Sequence, residues 1–492
     1  MNDQSPAALS EEAPAKEAGN PPPTAAAHDS DVPAALEAFM LQGWAPRTVD
    51  ATPIPHLAAF QARRRALCAL YPGEILIVPT GHPKVRANDT VYRFRPGSDF
   101  AWLTGNHEPD CVLVLLPRAT GGHEEVLYVE PSTRGNITFF TDRQRGELWV
   151  GPRLGVEASA VRFGVDRCCA LGELPAWLAT LAAQDAAPRR LLRGLDTASD
   201  AALPERPEDA DLAARLSELR LRKDAQEIEE LSVVIAATKR GFEDVIRGLR
   251  TARSEREVEG IFSLRARVEG NDVGYGTIAA CGAHACILHW TRNDGPVQAG
   301  DTLLLDAGVE GHSLYTADIT RVFPISGRFT PEQREIYDLV YAAQRAAIAA
   351  VRPGIDFTAP NKVAMRVLAE GLERLGILPG TAEDALQDDK QLYRRYSLHN
   401  ISHMLGIDVH DCAKARKETY KFGQLTPGMV FTVEPGLYFQ PDDLTVPERY
   451  RGIGVRIEDD LVVTEDGCRV LSADLPVAAD DVEAWMARVW AS

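Results

Sequence analysis

The sequence has no long apolar run and a low share of basic residues. No apolar stretch approaches the roughly 20 residues that span a bilayer, so we expect no membrane partner. Lys and Arg number 53 against 71 Asp and Glu, and the formal net charge is -18. Binding to a phosphate backbone needs clustered basic side chains, so we expect no nucleic-acid partner. The tight basic run Arg63-Arg64-Arg65 is interpreted as the solvated face of a helix.

Cysteine is scarce, and the familiar nucleotide and nucleophile motifs are missing. The eight cysteines show no disulfide-framework spacing, and the N-terminus has no basic segment followed by an apolar one. We therefore expect a cytoplasmic protein. No Gly-rich loop with a following Lys and no Gly-x-Ser-x-Gly elbow occurs. The group Cys281, His284, Cys286 and His289 fits no familiar zinc spacing, so its thiols are interpreted as neutral apolar groups.

Composition divides the chain into four parts. Residues 1–47 are rich in Ala, Pro and acidic residues, which bury too little apolar surface to fold, so we expect a disordered tail. In residues 48–215 short apolar runs alternate with helical stretches, which predicts an α/β domain. The Pro- and acid-rich stretch 201–211 indicates its end. A second domain over 216–478 and a C-terminal tail over 479–492 complete the prediction.

Two helix signals in the second domain resemble each other. Asp224 with Glu227 forms a capping box before a periodic apolar pattern. Thr330, Pro331 and Gln333 form a second cap with Pro at the first helical position. Each signal leads through a turn into another helical stretch, and the two lie roughly a hundred residues apart. This spacing is weak evidence of an internal duplication, in which each half would offer two carboxylates to a shared centre.

Four carboxylates and one histidine form the strongest chemical signal of the chain. Each acid alone is more often structural, for example as the cap of a turn. Together they are what two divalent cations need, because carboxylate oxygens can bridge the ions and neutralise their charge. We interpret the set as a two-metal hydrolytic site: Asp306, Asp318, His403, Glu434 and Glu458.

Strand periodicity adds support at two of these acids. Asp306 ends the apolar run from Thr302, and Ile453–Glu458 is predicted to be a strand in which Arg456 and Glu458 share a face. Apolar neighbours favour burial, where a charge must be paired or bound to metal. His289 follows an apolar run that is predicted to be a strand, and taken alone it would more often be a core histidine.

At these residues the sequence resembles the pita-bread metallopeptidases, specifically the Xaa-Pro aminopeptidases (aminopeptidase P). The resemblance runs from Phe60 to about residue 475. It rests on separate motifs that occur in the same order: residues 287–291, 305–308, 317–321, 402–411, 432–438 and 451–460. The implied fold class is α/β, with an N-terminal α/β domain and a pseudo-twofold pita-bread catalytic domain.

The resemblance implies roles for the metal ligands. Asp318 and Glu458 would bridge two divalent ions, Asp306 would bind one of them, and His403 with Glu434 the other. Manganese is the implied metal, which suits an oxygen-rich site with one imidazole.

The resemblance also implies substrate roles. His289 and His410 would position the substrate and stabilise the tetrahedral intermediate, and His399 would line the proline pocket. Arg456 would orient the bridging water and carboxylates, and Glu434 would also shuttle protons. Three further residues are implied as substrate-binding, the last two through an oligomer, which we expect to be a homodimer or homotetramer: Tyr275, Asp89 and Trp149.

One departure concerns the first two aspartates. The sequence has one residue more between Asp306 and Asp318 than the resemblance implies. A loop can absorb this residue, whereas a register slip would turn one carboxylate away from the metals. We favour the loop, because the motif after Asp318 is intact.

The expected activity is removal of an N-terminal residue that precedes proline, by attack of a metal-bridging hydroxide. The substrates would be peptides with proline in the second position. A prolidase, which accepts only Xaa-Pro dipeptides, shares the fold and ligands and remains an alternative. A non-catalytic binding protein on the same scaffold is disfavoured, because all five ligands are present.

Overall fold

The computed structural model describes residues 32–45, 48–184 and 188–492. Residues 1–31 and 46–47 of the tail predicted to be disordered lie outside these ranges, whereas its residues 34–40 form a helix, which corrects the prediction for that segment. The elements of the first part of the chain are α1 (Ala34–Met40), α2 (Leu57–Leu70), β1 (Ile75–Pro79), β2 (Val85–Ala87), β3 (Thr90–Val91), α3 (Ser98–Thr104), β4 (Val112–Pro117), β5 (His123–Val129), α4 (Thr138–Thr141), α5 (Glu147–Val150), α6 (Val156–Phe163), β6 (Arg167–Ala170), α7 (Leu174–Ala183), β7 (Arg189–Leu191), α8 (Thr197–Ala202) and α9 (Pro207–Arg220).

The second part of the chain carries the longer helices and most of the strands. Its elements are α10 (Ala225–Gly248), α11 (Glu255–Glu269), β8 (Asp272–Val273), β9 (Ile278–Cys281), β10 (Thr302–Ala307), β11 (Val309–Glu310), β12 (Ile319–Pro324), α12 (Pro331–Ala350), α13 (Ala359–Arg374), α14 (Ala382–Ala385), β13 (Val430–Val433), β14 (Gly436–Tyr438), β15 (Gly454–Arg456), β16 (Asp459–Val463), β17 (Cys468–Val470) and α15 (Ala479–Ala491).

Two compact units divide these elements. Unit 1 comprises the described residues up to Asp50 together with Pro83–Phe94 and Pro131–Leu154, and unit 2 comprises Ala51–His82, Arg95–Glu130 and Gly155–Ser492. Unit 1 contains three short helices and the β2–β3 hairpin. Unit 2 contains all the other elements. Within the described residues, no helix combines the length and the apolar character that a membrane span requires.

The first sheet of unit 2 has the strand order β6-β5-β4-β1-β7. Its outer pairs are parallel and its inner pairs antiparallel. Ile77, Val112 and Val114 are buried in the core that this sheet forms with α7 and α8. The α/β character predicted for residues 48–215 is therefore confirmed.

The remainder of unit 2 repeats one order of elements. The helix pair α10 and α11 precedes the antiparallel sheet β12-β10-β9, and the pair α12 and α13 precedes the sheet β13-β16-β17. Both predicted caps form, since Asp224 accepts from Glu227 N at 3.0 Å and Thr330 accepts from Gln333 N at 3.2 Å. Two similar helix–helix–sheet halves thus bring their strands to a shared core.

Three expectations about the ends of elements are corrected. The boundary expected at residue 215 falls inside α9, because the proline of this acidic stretch begins the helix. The C-terminal tail expected over 479–492 is helix α15, which buries Val482, Trp485 and Met486 at helical spacing. The strand expected over 453–458 is interrupted at 457–458, between β15 and β16.

The basic run in α2 is also corrected. Arg64 is fully buried, where it donates to Glu125 at 2.7 Å and to the Leu103 carbonyl at 2.9 Å. Arg63 is 5% exposed and donates to Asp224 at 2.8 Å, so it links α2 to the cap of α10. Because long-range acceptors satisfy both guanidinium groups, they can be buried where the sequence predicted a solvated face.

Candidate metal centre and active site

The first two carboxylates lie on an antiparallel pair of strands. Asp306 belongs to β10, which pairs with β12, and Asp318 directly precedes β12. The Tyr275 hydroxyl lies 2.7 Å from Asp306 Oδ1 and 2.5 Å from Asp318 Oδ1. The backbones approach closely here, because a Cβ on Gly308 would lie 1.6 Å from the carbonyl oxygen of Ala317. This approach requires glycine and holds the two carboxylates side by side.

The additional residue between the two aspartates lies outside the paired strands. Residues 309–316 form β11 and a turn in which Gly311 N donates to Tyr315 O at 2.9 Å. The pairing of β10 with β12 shows no shift in register. The structure therefore agrees with the loop interpretation, and both aspartates face the same hydroxyl.

The other candidate ligands come from the second half of the domain. Glu434 follows β13, and its N–H donates to the Ile401 carbonyl at 2.8 Å, which holds the segment of His403 against this strand. Glu458 lies between β15 and β16. It donates its N–H to the Thr320 carbonyl at 3.1 Å and accepts from the Thr320 hydroxyl at 2.7 Å. Glu458 is thereby fixed to the strand that follows Asp318.

Three of the candidate ligands come close enough together to hold one ion. Single ligand atoms of Asp318, His403 and Glu458 all lie within 4.8 Å of one another. His403 Nε2 lies 3.3 Å from Asp318 Oδ2 and 3.5 Å from Glu434 Oε1. Candidate ligands from both halves of the domain thus lie close together, as a shared metal centre requires.

The electrostatics of the cluster fit bound cations. Burial raises the pKa of Glu434 to about 7, and burial with repulsion from Asp318 raises the pKa of Glu458 well above its usual value. Burial lowers the pKa of His403, but its hydrogen bond with Asp318 and the charge of Glu434 outweigh this and raise the pKa to about 9. Oε1 of Glu458 is buried and has no hydrogen-bond partner among the described residues. Buried, mutually repelling carboxylates with an oxygen left over are a suitable donor set for hard divalent ions.

Arg456 connects the carboxylates to one wall of the site. Its buried guanidinium donates to Asp306 Oδ2 at 2.5 Å and to the Tyr438 hydroxyl at 3.0 Å. The same hydroxyl lies 2.7 Å from His399 Nε2. Burial and the charge of Arg456 lower the pKa of His399 to about 4, so this imidazole is neutral at neutral pH. Tyr438 was given no role from the sequence, because its contacts depend on the pairing of β14 with β15.

Two further imidazoles lie at the rim. His289 and His410 are exposed, and the ring of His410 lies 4.4 Å from that of His403, measured between centroids. The strand expected before His289 is absent, because β9 ends at Cys281, a 3-10 helix spans Gly282–Cys286 and residues 288–289 form a turn. His289 is therefore a loop residue.

A cavity of about 510 Å³ contains the cluster. Ten of the candidate residues line it: Tyr275, His289, Asp306, Asp318, His399, His403, His410, Glu434, Arg456 and Glu458. Ile278, Leu288 and Val409 add apolar surface. The cavity thus combines a group of acidic ligands, donor imidazoles and an apolar wall.

The remaining two candidates belong to unit 1. Trp149 lies in α5, is 52% exposed and donates its indole N–H to the Phe140 carbonyl at 2.7 Å. Asp89 is exposed and lies between β2 and β3. Their substrate roles stay predictions.

A buried pair behind the cluster was missed from the sequence. Arg321 is fully buried and donates to Asp459 at 2.7 Å and to the Glu458 carbonyl at 2.6 Å. Gln344 donates to the other oxygen of Asp459 at 2.6 Å. The Arg321-Asp459 pair thus fixes the backbone of Glu458. Arg321 and Asp459 lie far apart in sequence, so their pairing can be seen only in the structure.

Comparison with known families matches both parts of the chain. Residues 229–465 match metallopeptidase family M24, and residues 60–188 match the aminopeptidase P N-terminal domain. Xaa-Pro aminopeptidase 1 of Streptomyces coelicolor is 52% identical over 455 residues, which is 91% of each chain.

Solved structures agree with the sequence relatives. Aminopeptidase PepP of Pseudomonas aeruginosa superposes with a TM-score of 0.77 at 33% identity, over 89% of this chain and 100% of that chain. Aminopeptidase P from E. coli, solved with the inhibitor Pro-Leu, superposes with a TM-score of 0.78 at 32% identity, over 90% of this chain and 100% of that chain. The predicted pita-bread fold is confirmed, and the chain belongs to the aminopeptidase P group of metallopeptidase family M24.

Proposed function

We propose that this protein is a two-metal Xaa-Pro aminopeptidase, which removes the N-terminal residue of peptides with proline in the second position. The observation that carries the proposal is the convergence of five ligand residues from both halves on one cavity. The relatives named Xaa-Pro aminopeptidase, one of them 52% identical, support the same activity.

Divalent ions, expected to be manganese, would be held by residues of both halves. Asp318 and Glu458 would contribute to holding both ions, Asp306 would help to hold one of them, and His403 with Glu434 the other. When bound, the ions would polarise the scissile carbonyl and supply a hydroxide nucleophile at neutral pH. An oxygen-rich donor set with one imidazole suits manganese.

The protein's own side chains would handle the proton and the developing charge. Glu434 can take a proton at its carboxylate and return it to the leaving proline nitrogen. His289 and His410, exposed at the rim, can donate hydrogen bonds to the developing oxyanion. Arg456 would hold Asp306 in its orientation through their 2.5 Å contact.

Recognition of proline would fall to the apolar wall and His399. A proline residue has no N–H and a fixed φ, so it needs shape and apolar contact rather than a hydrogen-bond acceptor. Ile278, Leu288 and Val409 offer such contact. The neutral His399, bonded to Tyr438, adds a flat ring without charge.

We also propose a homo-oligomer, a dimer or tetramer, in which unit 1 supplies contacts between copies. Large apolar side chains are concentrated at the surface of this unit: Leu36, Phe39, Trp44, Val85, Tyr92, Leu148, Trp149 and Val150. A concentration of exposed apolar side chains in one unit supports an interaction surface there. In this arrangement Asp89 and Trp149 would reach the substrate of another copy. Light scattering of the wild type and of Phe39→Ser tests the assembly.

We propose the cytoplasm as the place of action. All eight cysteines lie within the described residues and are free thiols. Unpaired thiols are typical of reducing compartments. Fractionation of cells that produce the protein would test this.

Hydrolysis of three matched peptides in manganese buffer tests the activity. We expect cleavage of Xaa-Pro-Yaa and little or none of Xaa-Ala-Yaa. Equal cleavage of both would contradict proline specificity. Cleavage of the Xaa-Pro dipeptide with the tripeptide untouched would identify a prolidase instead.

A further inference from the structure

A buried carboxylate holds the loop that carries His289. Glu255, the first residue of α11, is fully buried. Its Oε1 accepts from Cys281 N at 2.7 Å and lies 2.8 Å from His284 Nδ1. Its Oε2 accepts from the Trp290 indole at 2.8 Å and from Gly295 N at 2.7 Å. Four hydrogen bonds to one carboxylate satisfy a charge that would otherwise be costly to bury.

These donors lie at the points that determine the path of the loop. Cys281 ends β9 and Gly295 closes the loop, so one carboxylate fixes both ends. Trp290 directly follows His289, and its ring stacks on His284 at 3.9 Å between centroids. A Cβ at Gly295 would lie 2.8 Å from Glu255 Oε2, so the close approach at this end requires glycine.

Further contacts hold the flanks of the loop, since Gln440 donates to the Cys286 carbonyl at 2.7 Å and Asn293 donates to the Thr277 carbonyl at 2.8 Å. Residues 287–291 contain no regular secondary structure, and Ile287 is 43% exposed. Arg456 reaches the carbonyl of Leu288 only at 3.5 Å. At the tip of the loop, Trp290 is the direct neighbour of His289, and its indole is bound to Glu255 and its ring packs against the core.

We propose that Glu255 is a positioning residue for catalysis: through Trp290 and the ends of the loop, it sets the place from which His289 donates to the substrate. The inference rests on the role proposed above for His289. Glu255 touches neither the substrate cavity nor a metal ligand, and its effect appears only through the loop. A shift of about 1 Å in a donor of this kind can cost on the order of a hundredfold in rate.

Glu255→Gln is the direct test, with Glu257→Gln as the matched control. The amide keeps one acceptor oxygen and turns an NH2 group toward N–H donors, so at least two hydrogen bonds are lost. Glu257 lies in the same first turn but is exposed. For an Xaa-Pro-Yaa peptide, we expect Glu255→Gln to lower kcat roughly tenfold to a hundredfold, with KM and bound metal unchanged. The control should keep wild-type kcat.

A double-mutant cycle with His289→Ala separates positioning from general damage. If Glu255 acts through His289, then Glu255→Gln should change kcat less than about twofold once His289 is removed. Equal losses in both backgrounds would overturn the inference, as would an unchanged kcat for Glu255→Gln when His289→Ala is slow. An unchanged kcat for His289→Ala would instead overturn the proposed role of His289, and the inference with it.

Trp290→Phe keeps the test decisive if Glu255→Gln does not fold. This variant preserves an aromatic ring beside His284 but removes one of the four donors to Glu255. We expect a loss in kcat of about several-fold that vanishes in the His289→Ala background. A loss that persists there would contradict the inference.

Discussion

His82 should stabilise the folded protein in a pH-dependent way. Its ring lies between Asp110 and Asp196, contacting Asp110 through Nδ1 and Asp196 at 2.9 Å through Nε2. These hydrogen bonds outweigh the effect of burial and raise the pKa of His82 from 6.5 to about 9. The extra stability is fully present below pH 6.5, where the ring is protonated in both states, and is lost as the pH rises through 9.

The size of the effect follows from the shift and from solvent exposure. A pKa difference of this size corresponds to roughly 3 kcal/mol. The His82 side chain is 33% exposed, so solvent screening reduces its contribution to the unfolding free energy to about 1–2 kcal/mol. This figure is the extra stabilisation of the protonated ring over the neutral ring. The neutral ring still keeps part of its hydrogen bonding.

Urea unfolding of wild type and His82→Gln at pH 6 and pH 10 measures this contribution. We expect the variant to be less stable at pH 6, and the difference from wild type to shrink by about 1–2 kcal/mol at pH 10. His123→Gln is a suitable control, because its ring bonds to the Glu74 carbonyl at 2.9 Å rather than to carboxylates. A difference that stays constant or grows with pH would refute the reasoning.

Two further predictions concern the metal ligands and the C-terminal helix. His403→Ala should lose bound metal and activity together, whereas His410→Ala should retain metal and lose about a hundredfold to a thousandfold in kcat. Metal analysis and kinetics on both variants test this prediction. Equal metal loss in the two variants would require a second imidazole ligand. Trp485→Ala should lower the unfolding free energy by about 3–5 kcal/mol, since Trp485 is 3% exposed and packs in the core. A change below about 1 kcal/mol in urea unfolding would indicate that α15 is not part of the folded domain.

Local signals predicted where two of the long helices begin. The capping boxes that begin at Asp224 and Thr330 each involve residues within one helical turn. Both begin helices, as expected. The candidate acids were proposed because they lie in or beside apolar runs, and their order along the chain resembles that of the family. Both kinds of signal are contained in a few adjacent residues.

Contacts between distant residues account for what the sequence did not predict. Arg64 is buried because Glu125 and three backbone carbonyls accept from it, and none of these partners is near it in sequence. Tyr438 accepts from the buried Arg456, and Asp459 accepts from the buried Arg321. Both partners are distant in sequence. The apolar residues of the helix that contains Trp485 recur at helical spacing. Only the structure shows that they pack into the core of the domain.

Metal content is the most direct test of a centre in which five residues hold two metal ions. Elemental analysis of active protein should give two metal ions per chain, with highest activity in manganese. Asp318→Asn should lower both occupancy and activity, because a neutral amide bridges cations poorly, whereas Asp389→Asn on the surface should change neither. Active wild-type protein that consistently carries one metal ion or none would contradict the account.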